Sequence, residues 1–185
     1  MTSEQTHGPI SQSRSKTMAF VASMGALGNI LALLSVYLAP IHPQIALDFS
    51  HVGTFLAALQ CGPILGFFTG ALVALTPFYR FGVMGWYGPL LGSGIILGKA
   101  LTGLGFGIAS KRLRPILAGP VGFLPESIYT YLYLKYVTVF FMPGLSDFMT
   151  DAVILSILAK AWIEIAIISA ITETIVRRGI LTGRS

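Results

Sequence analysis

Four ionisable side chains, Lys99, Glu126, Lys160 and Glu164, stand inside long apolar runs. A charge in such surroundings is costly unless it is paired or used. Lys160 and Glu164 are four residues apart, so on a helix they share a face and can pair. Two lysines and two glutamates sum to zero, which fits an internal ion-pair network, and Glu164 is assigned to that role. Lys99, Glu126 and Lys160 fit ligand contact equally well, since a lysine there offers a compact charged donor to a carboxylate, a phosphate or a ring carbonyl. Asp48 is either a helix cap, together with Ser50, or a further ligand group. Rings supply the rest of a candidate site. Trp86 and Tyr87, flanked by Gly85 and Gly88 beside Arg80, fit a mobile lid in an outer loop that also holds Phe78, Tyr79 and Phe81. Tyr129 and Trp162 add two more aromatic faces, whereas Tyr133 and Tyr136 fit an interfacial belt. The substrate-binding set read from the sequence is therefore Asp48, Trp86, Tyr87, Lys99, Glu126, Tyr129, Lys160 and Trp162, a mixture of apolar surface and a few placed polar groups.

Other chemistries lack their parts. There is no GxSxG elbow, no HExxH pair and no pair of Asp-rich motifs to hold magnesium, so an enzyme is not expected. No GxxxxGK[ST] phosphate loop occurs, so any ATP-driven step needs a partner. His7, His42 and His51 are scattered and the single cysteine is Cys61, so neither a metal site nor a cofactor is expected.

The elements that must position these groups are membrane helices. Of 185 residues, 54% are hydrophobic and only 10% charged. The mean hydropathy is +0.78, and ordinary soluble domains carry about 25% charged residues. Apolar runs cover residues 18–39, 52–76, 88–109, 116–136 and 152–176. The second is either one long span or two short helices hinged at Gly62-Pro63. Charge decides between them, because cytoplasmic loops concentrate lysine and arginine. With a hinge there are six segments, and Arg14, Lys16, Lys111, Arg112, Arg114, Arg177, Arg178 and Arg184 share one side. Only Arg80 and Lys135 then fall opposite. With five spans that asymmetry nearly vanishes. The expected fold is an all-α integral membrane protein of six transmembrane helices, the second and third short, with both termini cytoplasmic in the cell membrane. Lys99, Glu126 and Lys160 then come to about mid-depth. Residues 1–16 are expected as a flexible cytoplasmic tail, 17–180 as one membrane domain and 181–185 as a short C-terminal tail; a cleaved signal peptide is not expected. The net charge of +5 follows from this topology and implies attraction to anionic lipid rather than to nucleic acid.

Three features carry a family resemblance. They are the block Asp48-Phe49-Ser50 through Gly62-Pro63 to Gly66 and Gly70, the stretch Ala22-Ser-Met-Gly-Ala26 in the first segment, and the six-segment layout. Together they resemble the S-component of energy-coupling factor (ECF) vitamin transporters, the riboflavin-type branch most of all. The resemblance implies a subunit that captures a water-soluble vitamin or related metabolite outside, riboflavin being the first candidate. It also implies docking on a transmembrane coupling protein driven by two ATPases, with toppling in the membrane to release the ligand inside. Ala22 and Ala26, with Ala19 extending the stripe, would form the flat face that meets the coupling protein; packing within the chain is the alternative for such small residues. Some related S-components bind cobalt or nickel through an N-terminal histidine motif, which Met1-Thr2-Ser3 does not supply. A stand-alone ion-coupled carrier for a small solute is the competing class, since the four intramembrane ionisable groups can in principle relay protons.

Overall fold

A computed structural model describes residues 10–38, 40–42, 45–85 and 88–179. Among the described residues the secondary structure is helical apart from one short hairpin. Helix α1 spans Ile10–Leu38, and strands β1 (Pro40–His42) and β2 (Ile45–Ala46) pair antiparallel. Helices α2 (His51–Cys61), α3 (Pro63–Val73) and α4 (Leu75–Pro77) follow, and a π-helical turn at Phe78–Val83 continues α4. Helix α5 spans Gly88–Ala109. Helix α6 (Pro115–Leu132) runs through a second π-helical turn, Tyr133–Thr138, into α7 (Val139–Phe141). Helix α8 spans Asp151–Arg177. Residues 10–16, expected in the tail, are thus the first turns of α1.

Among the described residues, four helical segments are long and apolar enough to cross a membrane: Arg14–Ser35, Pro63–Val83, Gly88–Ala109 and Asp151–Arg177. The protein is an all-helical membrane protein. Large apolar side chains such as Ile30, Ile64, Leu90, Ile128 and Ile163 are exposed, while Ser50, Thr54, Thr69, Thr102 and Thr172 are buried. That inversion suits a lipid surround, where helix contacts favour small and hydroxylated residues.

The Gly62-Pro63 break separates two helices, and its cause is local. Gly62 takes φ +87°, a left-handed conformation open to glycine, and Pro63 opens α3 where its missing N–H costs nothing. The third segment departs from the expected short helix. It is prolonged by α4 and the π-helical turn to 21 residues, ending at Val83, and Phe78, Tyr79 and Phe81 lie in that turn rather than in an outer loop.

Pro77 makes the prolongation possible only with help. Near it the helix is broken between Leu72 and Thr76, and Asn29 of α1 fills the gap. Its Nδ2 donates to the Leu72 carbonyl (2.8 Å) and its Oδ1 accepts from the Thr76 N–H (2.8 Å). The side chain thereby replaces the i to i+4 backbone bond that the break removes. We expect Asn29→Ala to destabilise the protein by about 1–3 kcal/mol, the cost of leaving backbone groups within an apolar helix unpaired. Unfolding by SDS titration of the purified variant measures it.

Close packing holds α5 against two neighbours. A Cβ on Gly66 would lie 2.6 Å from the Gly103 carbonyl oxygen, so α3 and α5 touch backbone to backbone. On another face, Gly94 and Gly98 of α5 meet Tyr133 and Glu126. Below them Phe55 of α2 and Phe106 of α5 stack with centroids 3.8 Å apart, in a core shared with Ala118, Phe123, Ile165 and Ile168.

Candidate functional site

The chain leaves α1 at Leu38 but does not begin α2 at that level. After the hairpin it turns back alongside α1. The Phe49 N–H donates to Ser35 Oγ (3.3 Å), and a Cβ on Gly28 would lie 2.8 Å from the Ser50 carbonyl oxygen. Residues 48–51 are therefore carried down beside the middle of α1 before α2 starts. This is why α2 needs only 11 residues, about 16 Å of helix.

The re-entering turn brings Asp48 to Lys99. Lys99 Nζ donates to Asp48 Oδ2 (2.8 Å) and to Ser50 Oγ (2.8 Å), and only 7% of the Lys99 side chain is exposed. Asp48 Oδ1 accepts from the Ser50 N–H (2.9 Å). Asp48 thus keeps a backbone-capping contact at the start of α2 beside its pairing with Lys99, whereas Ser50 stands at the N-cap with no side-chain cap bond, its hydroxyl accepting from the ammonium of α5.

Two further carboxylates join them. Glu164 of α8 accepts from the Asp48 N–H (2.6 Å) and pairs with Lys160 one turn earlier (3.1 Å). The pairing expected of Lys160 and Glu164 from their spacing is present. Glu126 of α6 accepts from Thr102 Oγ1 of α5 and faces His51 Nε2 of α2 at 3.6 Å. The structure thus draws Asp48, Lys99, Glu126 and Lys160 into one buried cluster contributed by the re-entering turn, α2, α5, α6 and α8.

The aromatic candidates flank this cluster. Trp162 Nε1 donates to Ser127 Oγ (3.2 Å), next to Glu126, and its ring stands edge-on to Phe123 at 5.2 Å. Tyr129 lies one turn beyond Glu126, tilted against Tyr133 at 5.3 Å. Trp86 and Tyr87 lie outside the described residues. Three partners went unassigned in the sequence. Ser50 reads there as a cap, His51 as one of three scattered histidines, and Thr102 as one hydroxyl in a glycine-rich helix. The only signals were adjacency of Ser50 and His51 to Asp48 and the three-residue spacing of Thr102 from Lys99. Among the described residues no group of three His, Cys, Asp or Glu is placed to hold a metal ion.

Ala19, Ala22 and Ala26 are exposed on one side of α1.

No family model, curated protein or solved structure matches the chain.

Proposed function

We propose that this protein is the substrate-capture subunit of an ECF-type importer, taking a water-soluble vitamin or related small metabolite from outside. The observation that carries the reading is the buried cluster around Asp48 and Lys99, set inside an apolar helical bundle by a turn that re-enters beside α1. Ionisable groups at such depth are expensive and serve a solute path or a solute site. The uncovered alanine face of α1 supports a second part of the proposal, docking on a transmembrane coupling protein served by two ATPases. In this reading α2 and the α6–α7 helix complete six membrane segments, and both termini are cytoplasmic in the cell membrane.

Riboflavin is the first ligand to test, on the sequence resemblance. The test is tryptophan fluorescence of detergent-purified protein titrated with B-vitamins and precursors, with uptake measured in cells with and without the ATPase module. A capture subunit binds one ligand per chain without turnover, and its uptake needs the ATPases. Uptake by this chain alone in proteoliposomes, driven by a proton gradient, would replace the proposal with an ion-coupled carrier. The closeness of His51 to Glu126 is the one observation favouring that second reading.

A further inference from the structure

The buried cluster does not balance. Asp48, Glu126 and Glu164 supply three negative charges against two positive ones from Lys99 and Lys160. The imbalance has an address. Asp48 has Lys99 at 2.8 Å and Glu164 has Lys160 at 3.1 Å, but among the described residues no lysine or arginine lies within ion-pair distance of Glu126. Its neighbours are the Thr102 hydroxyl and the His51 imidazole. Only 14% of its side chain is exposed, and a carboxylate so enclosed is held neutral or paired.

A second observation is independent of that sum. His51 is 6% exposed, and its other nitrogen, Nδ1, has no hydrogen-bond partner. One turn on, Thr54 is fully buried with its hydroxyl likewise unpartnered. Buried polar atoms are nearly always satisfied, so an orphan nitrogen on the ring that faces an uncompensated carboxylate marks a place completed by something else. Along α6, Phe123 lies one turn before Glu126 and Tyr129 one turn after it; Phe123 packs edge-on to Trp162 of α8, and Tyr129 is tilted against Tyr133. A carboxylate with aromatic side chains one helical turn to either side of it offers the two kinds of group, charge and ring, that bind organic cations.

We infer that Glu126 and His51 receive the positively charged end of the solute, an organic ammonium or a quaternised heteroaromatic nitrogen, and that the solute displaces a proton this pair holds when solute-free. The inference rests on the capture reading and narrows its cargo to cations. The balance is simple. In the solute-free state one proton on His51 or Glu126 brings the cluster to zero. A bound cation restores the same sum, so that proton leaves to water. The charged groups facing the pair set this sum: Asp48 from the re-entering turn, Lys99 from α5, and Lys160 and Glu164 from α8.

The test is isothermal titration calorimetry of the full-length purified protein at pH 7, in two buffers of different ionisation enthalpy. The probes are thiamine and choline as cations, riboflavin as an uncharged solute and pantothenate as an anion. We expect a cation to bind best, with about one proton released per site and affinity rising about tenfold per pH unit while the pair is protonated. Glu126→Gln keeps the shape but removes the charge. It should weaken the cation by about 100-fold or more and abolish proton release, with an unfolding midpoint no lower than that of the parent. Should the variant fail to fold, the proton count and pH slope of the unaltered protein still decide. Riboflavin or pantothenate binding best, without proton release, would overturn this inference and leave the capture subunit standing. No binding by any of these or other vitamins would remove both.

Discussion

Lys99→Met is expected to be the most damaging single substitution in the membrane domain. The lysine is buried and its ammonium serves Asp48 and Ser50 together. Removing it strands the Asp48 carboxylate among low-dielectric surroundings, where breaking one side of a buried pair costs about 3–5 kcal/mol. The loss should appear as a lower SDS unfolding midpoint and a collapsed yield of folded protein. The diagnostic result is the rescue. Asp48→Asn added to Lys99→Met removes the stranded charge, and the double variant should recover most of the lost stability, giving a large coupling energy in the four-protein cycle. Additive losses would mean that the pair does not act as a unit. Solute binding separates the roles further. If the pair only braces the re-entering turn, the refolded double variant binds as the parent does.

Ala22→Trp is expected to leave binding intact and to stop delivery. Ala22 is exposed between Ala19 and Ala26 on α1, so an indole there projects from the surface of the described bundle. Against a partner helix it holds the two backbones apart, because close approach in membranes depends on small side chains. ATP-driven uptake should fall about tenfold or more, the effect of about 1.4 kcal/mol lost at the interface, while solute affinity of the purified subunit stays unchanged. Unimpaired uptake would remove the alanine face from the docking proposal and return it to lipid. Ile30, Leu33 and Leu34 are also exposed further along α1; their larger side chains suit lipid contact better than a flat docking surface.

What was legible in the sequence was local in origin. The long apolar runs and the Gly62-Pro63 break follow from properties of the residues at those positions. So does the Lys160–Glu164 pair, whose four-residue spacing is enough. The features that escaped depend on partners far along the chain. Thr76-Pro77 reads as the end of a helix, yet the helix continues because Asn29, 47 residues before Thr76, supplies the missing hydrogen bonds. Asp48-Phe49-Ser50 reads as a cap or a ligand group, and which charge it meets is set by Lys99, 51 residues later. His51 reads as a scattered histidine, and only the fold sets it against Glu126. A single sequence carries no mark of such distant exchanges, so Asp48, Lys99, Glu126 and Lys160 could be singled out from it, whereas the contacts of Ser50, His51 and Thr102 with them could not.

The re-entering turn also constrains how the protein can be made. A nascent helix enters the bilayer as it leaves the ribosome, one hydrophobic segment after another. The 11 residues of α2 are too few to be threaded as a stable span, since crossing takes about 20, and a charged Asp48 leads them. Their neutralising lysine arrives only when α5 is synthesised, and the glutamate that accepts the Asp48 N–H is 116 residues downstream. Until then the α2–α3 hairpin has no settled place in the bilayer. The turn must wait beside the insertion machinery for α5, and any truncation before α5 releases an intermediate whose most polar turn lacks its lysine. Quality control acting on membrane insertion would therefore recognise incomplete copies by this turn, long before solute binding could distinguish them.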